Sequence, residues 1–115
     1  MTNKAKEIAE QLAAIAASYR ATLPEKLRQV ESGWRYLQDN GWEETRYTQL
    51  YHLLHSMAGS AETMSLPELT CSARILLQVV KDWSTLRVQT NTSRLPFNPE
   101  LHNFAKIIHS AIQNK

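Results

Sequence analysis

Two histidines, His52 and His55, stand three residues apart in Tyr51-His52-Leu53-Leu54-His55-Ser56-Met57-Ala58-Gly59-Ser60-Ala61, and their type and spacing carry the most chemistry in the chain. An imidazole with an ordinary pKa near about 6.5 is largely neutral at neutral pH. One ring nitrogen then keeps a lone pair able to attack an electrophile such as phosphorus without help from a base. The same lone pair ligates metals, and residues three apart on a helix share a face. No nearby Cys or His completes a ligand set around His52 and His55, so no metal is expected.

Other reactive groups are sparse. Cys71 is the single cysteine, which excludes an intrachain disulfide; inside an apolar helical stretch it reads as a buried thiol. His102 and His109 fall seven apart near the end of the chain, on the polar flank of a final helix. There is no glycine-rich phosphate loop, so no nucleotide or other cofactor is expected. No serine has the strand-turn-helix setting of a hydrolase nucleophile. An enzyme with its own nucleotide site is therefore not expected.

The element that must position His55 is a helix. Tyr47, Leu50, Leu54, Met57, Ala61 and Met64 recur at alternating steps of three and four, which sets them on one stripe expected to face a core. At about 100° of rotation per residue, His55 and Gly59 fall outside that stripe, toward solvent. A helix-interior glycine costs roughly 1 kcal/mol relative to alanine, so Gly59 needs a reason. Close approach by a partner supplies one. His52, Ser56, Ala58, Gly59 and Glu62 then make a low docking surface around His55.

The run His55-Ser56-Met57-Ala58-Gly59-Ser60-Ala61, followed by Leu66 and Leu69, resembles the histidine-containing phosphotransfer (HPt) family, whose motif reads H-x-L-K-G-S/A-A with a glycine and a leucine further on. The motif itself covers Leu54 to Leu69, and the helix order is similar from about Ile8 to Trp83. The resemblance implies a helical bundle in which His55 is the phosphoacceptor and Gly59 keeps space beside it. It implies a partner as well: a response-regulator receiver domain carrying an aspartyl phosphate, or a hybrid histidine kinase acting through such a domain. That partner would bring the Mg²⁺ and most catalytic groups. Two positions depart from the motif. Ala58 stands where a lysine is common, and Ser65 stands where a glycine is usual. With no lysine at position 58, Arg74 and Arg35 are the candidate charge partners of a phosphoryl group.

Around this helix the chain reads as four more. Ile8, Leu12, Ile15 and Tyr19 mark a first amphipathic helix. Thr22-Leu23-Pro24-Glu25 looks like a capping box with proline in the first turn, so a second helix is expected to begin there. Leu23, Leu27, Val30, Trp34 and Leu37 form its stripe, and Asn40-Gly41 its stop. The third helix runs from about Glu43 to Met64. Ser65-Leu66-Pro67-Glu68 repeats the capping pattern before a fourth stripe of Leu69, Ala73, Leu76, Val80 and Trp83, widened by Leu66, Ile75 and Leu77. Thr90 to Asn98 is polar and aperiodic, a loop. Asn98-Pro99-Glu100 then caps a last helix carrying Leu101, Phe104, Ile108 and Ile112. The tryptophans lie on or beside these stripes, where packing accounts for them. No period-two run suggests a strand. The expected fold is all-α: an antiparallel up-and-down four-helix bundle with one additional helix, as a single domain over residues 1–115.

Bulk properties agree with that reading. The 115 residues suit one modest core, and 43% hydrophobic with 21% charged residues is ordinary for a globular chain. A net charge of +2, with both signs scattered, gives no basic block for nucleic acid. No run nears the roughly 18 apolar residues of a membrane span. The opening residues lack the basic-then-apolar order of a secretory signal, so a cytoplasmic location is expected. Two other roles fit the same helices: an adaptor or dimerisation module that takes no phosphate, and a regulatory domain of a larger signalling protein.

Overall fold

The computed structural model describes residues 2–90 and 94–113. Four helices account for nearly all of them: α1 (Thr2–Asn40), α2 (Glu44–Thr63), α3 (Pro67–Thr90) and α4 (Glu100–Gln113). The fold is an all-α bundle. α1 packs on α2 and α4, and α3 packs on α2 and α4, so the helices follow one another around a ring with no close backbone approach across the diagonals. Three-residue links at 41–43 and 64–66 turn each helix back on the one before it.

The core is built from the stripes that periodicity marks. Leu23, Leu27, Val30, Trp34 and Leu37 of α1 meet Leu50, Leu54, Met57 and Ala61 of α2. Leu69, Ala73, Leu76, Val80 and Trp83 of α3, with Phe104 and Ile108 of α4, complete it. Ile75, expected to widen the α3 stripe, is exposed, whereas Leu66 and Leu77 pack against the core edge.

Helix ends follow local chemistry in two places. Gly41, at φ 89°, donates its N–H to the Leu37 carbonyl, the left-handed stop that Asn40-Gly41 forecasts. Asn98 accepts the Glu100 N–H on its Oδ1 at 2.9 Å and caps α4.

The two capping boxes do not form. No helix starts at Thr22: α1 runs through Pro24 unbroken, so the described residues hold four helices and not five. The Thr22 hydroxyl donates to the Tyr19 carbonyl at 2.7 Å. The Glu25 carboxylate takes hydrogen bonds from Arg28 and Gln29, which hold its pKa down at about 2. Tyr19 packs at the core edge one turn before buried Leu23, and keeping these two on one face requires a helix that runs through Thr22 and Pro24. At the second site Ser65 is no N-cap. It sits at φ 58° as the left-handed residue that ends α2. The Ser65 N–H reaches the Glu62 carbonyl and the Leu66 N–H reaches the Ala61 carbonyl, a Schellman motif. Leu66 takes the cap position instead, its carbonyl accepting the Thr70 N–H with Pro67 in the first turn of α3.

The segment before α4 is not purely a surface loop. Residues 91–93 of the expected loop lie outside the described residues. Leu95 is buried, and its N–H donates to the same Leu37 carbonyl that Gly41 uses, tying the approach to α4 onto the end of α1.

The molecule measures 63 × 22 × 20 Å. The long dimension comes from α1, whose 39 residues span about 58 Å, against about 30 Å for the 20 residues of α2. The first half of α1 therefore extends past the bundle. Ile8, Leu12 and Ile15, the apolar face of the expected first helix, are exposed there.

Candidate functional site around His55

His55 lies at the middle of α2, with its side chain exposed. α2 presses Leu50, Leu54, Met57, Ala58 and Ala61 against its neighbours, which turns the opposite face outward. On that face His52, His55, Gly59 and Glu62, at steps of three, four and three, form one exposed stripe, with exposed Ser56 beside it. The site thus rests on a helix whose rotation is set by five buried side chains.

Gly59 faces open space. A Cβ built there meets no heavy atom of the described residues within 4 Å, and the residue is exposed. No neighbouring helix demands a glycine, so packing does not account for it.

Ala58 is not part of the outer surface. It is only 5% exposed and belongs to the core. α2 packs on both α1 and α3, and two neighbours bury a face wider than a single seam. Its place among the docking residues is corrected accordingly.

The two candidate cations stand away from His55. Arg74, on α3, pairs at 2.5 Å with Glu62, which lies seven residues beyond His55, or about 10 Å along the axis. Arg35 lies on α1, lining a depression with Arg28, Glu31, Asp39 and Arg46 on the side where α1 meets the start of α2. Arg46 is nine residues before His55, about 13 Å along α2. Arg28 and Arg46 are themselves paired with Glu25 and Glu43. Among the described residues, no group of three or more His, Cys, Asp or Glu is arranged to hold a metal.

One neighbour of His55 escaped the sequence reading. The Tyr51 ring stacks on the His55 imidazole, with centroids 6.1 Å apart and planes inclined by 14°, and meets His52 edge-on at 5.6 Å. The signal was present in the spacing: Tyr51 and His55 are four apart, the distance at which helical side chains touch. Tyr51 is also the end of an aromatic chain. Tyr47 lies 6.1 Å from Tyr51, Trp42 lies 4.7 Å from Tyr47 and 5.4 Å from Trp83, and the Arg87 guanidinium sits 3.5 Å over Trp42. Half-buried Tyr51 is thereby braced from the link before α2 and from α3.

Beside the site, an open groove between the end of α2 and α3 is lined by Glu62, Leu66, Pro67, Cys71, Arg74 and Ile75. Cys71 is exposed in it, not buried as its apolar surroundings suggest. Two residues from both Leu69 and Ala73, it lies about 160° round α3 from that buried face. His102 and His109 are exposed on α4. No helix among the described residues is long and apolar enough to cross a membrane. No family model matches the chain, and neither a curated protein nor a solved structure matches it.

Proposed function

We propose that this chain is a phosphoryl carrier of the histidine phosphotransfer kind, accepting a phosphoryl group on His55 from a receiver-domain aspartate and passing it to another. The observation that carries the reading is the pairing of an exposed imidazole on a rigid helix with Gly59, one turn on, facing open space. A glycine kept at a helix-interior cost where nothing in the fold crowds it fits a surface that another protein must approach closely. A ring-nitrogen lone pair of His55 attacks phosphorus as the aspartyl O–P bond breaks. The phosphoryl group moves to a ring nitrogen, and the carboxylate leaves. Such a transition state asks mainly for alignment and charge compensation. Tyr51 holds the ring plane, while the Mg²⁺ and the compensating cations come from the partner, since Arg74 pairs with Glu62 about 10 Å along α2 from His55. No nucleotide site is needed, and the setting is cytoplasmic signalling, with the domain alone or within a larger protein.

The experiment is direct. Incubation with a phosphorylated receiver domain should place base-stable, acid-labile label on this chain, and His55→Gln should abolish it while leaving helicity and melting temperature nearly unchanged, because an exposed residue contributes little to packing. Label retained by His55→Gln would refute the assignment. An adaptor that takes no phosphate is the competing reading, favoured by the lack of a free local cation on the outer face of α2 near His55; it expects no label on either protein.

A further inference from the structure

We propose that the first half of α1 is a self-association surface, on which a second copy of this chain lays the same helix antiparallel. Ala5, Ile8, Leu12, Ile15 and Tyr19 follow at steps of three, four, three and four, the spacing of a two-helix seam. Helical rotation puts this stripe on roughly the face that meets the core further along, at Leu23, Leu27, Val30, Trp34 and Leu37. α2, α3 and α4 end before they reach it. Ile8, Leu12 and Ile15 are left 50%, 61% and 51% exposed. Three large aliphatic side chains lined up on one unsupported helix are an apolar seam without a partner.

The composition of the segment selects the partner. Lys6, Glu7 and Glu10 lie on the back of the helix and Lys4, four residues before Ile8, stands at the outer end of the stripe, so from Ala5 to Tyr19 the seam carries no charge that a second copy would have to bury. Ala9 and Ala16 flank one side of it, small enough for another helix to approach to about 8–10 Å between axes. A lipid surface fits less well. Interfacial helices carry a strongly basic polar face and bulky anchors, whereas here Lys4 and Lys6 are balanced by Glu7 and Glu10, and alanine dominates.

Sterics select the direction. In a parallel pair the partner's helix would continue along the α1 face that α2 and α4 already occupy. An antiparallel pair avoids this: the segments overlap near Leu12, and each bundle sits past the far end of the other's exposed segment. The overlap is about 16 residues, or about 24 Å of helix. That places the buried surface near the lower limit of about 1,000 Å² for a specific interface, so the dimer is reversible and concentration-dependent. It leaves the His55 face of each copy free and does not depend on phosphoryl transfer.

Sedimentation velocity over a micromolar to millimolar range tests it, on wild type and on Leu12→Glu. Leu12 is exposed, so the substitution spares the bundle, which circular dichroism confirms. The expected result is a concentration-dependent dimer for wild type and a monomer for Leu12→Glu. A wild type that stays monomeric throughout, or a Leu12→Glu protein that still dimerises, overturns the proposal. Nitroxide labels at position 4 of a Cys71→Ser protein distinguish direction: well-separated labels support the antiparallel pair, and labels in near contact overturn it. Binding of monomeric wild type to anionic phospholipid vesicles, lost in Leu12→Glu, would assign the stripe to lipid instead.

Discussion

Tyr51 stacks nearly parallel on His55, four residues apart on the exposed side of α2, and its other contacts run back through Tyr47 to Trp42 and Trp83. The imidazole therefore has a plane to lie against although it is open to solvent. Aromatic pairs of this kind contribute about 0.5–1.5 kcal/mol. Tyr51→Leu should accordingly slow labelling of His55 by a phosphorylated receiver several-fold, to about tenfold at most. Tyr51→Phe, which keeps the ring, should label at close to the wild-type rate. Equal initial rates for Tyr51→Leu and wild type would show the stacking to be incidental.

Gly59→Leu separates docking from folding. With no atom near the built Cβ, the substitution removes a helix penalty of up to about 1 kcal/mol and should leave the urea midpoint equal or slightly higher. Transfer from a protein donor should fall sharply, because the new side chain fills the space one turn beyond His55. Phosphoramidate, which needs far less room, should label both proteins similarly. A parallel loss with both donors would place the defect in His55 itself and not in partner approach.

Ser65 holds the left-handed conformation that ends α2, at φ 58°. That conformation costs a residue with a Cβ roughly 1–2 kcal/mol, and glycine is spared it. Ser65→Gly should raise stability by about 1 kcal/mol, after allowing for the greater freedom of glycine in the unfolded chain. Ser65→Ala should gain nothing. Urea denaturation of the three proteins measures it, and an unchanged midpoint for Ser65→Gly would mean that the Schellman turn carries no strain.

Pro24 interrupts the hydrogen-bond ladder of α1 without ending the helix. It lacks the N–H that residue 24 would donate to the carbonyl four back, and its ring crowds that carbonyl, a cost of about 3 kcal/mol in a helix interior. Pro24 is exposed, so Pro24→Ala removes no packing and should stabilise the protein by up to about 3 kcal/mol. Hydrogen exchange should slow most in the turns around position 24. Faster exchange there would show that proline stiffens this stretch.

Local rules in the sequence determined most of the core and two helix ends. The stripes from Leu23 to Leu37, Leu50 to Ala61 and Leu69 to Trp83 were legible because helical periodicity places every third or fourth residue on one face whatever lies opposite. Gly41 and Asn98 were legible because left-handed stops and side-chain caps act within a few residues. The outward rotation of His55 and Gly59 followed from the same periodicity. Tertiary structure decided the rest, wherever the outcome depended on what stands opposite. Thr22 to Glu25 carries a start signal, yet Tyr19 before it and Leu23 within it pack on the same core, and a continuous helix keeps them on one face. Ala58 is small enough to face either way and was claimed by a helix with neighbours on both sides. Leu95 looks like a loop residue until the end of α1 offers it a carbonyl and a pocket. Ile8, Leu12 and Ile15 show an apolar face, but periodicity reports only that the face exists; helix lengths in three dimensions leave it uncovered.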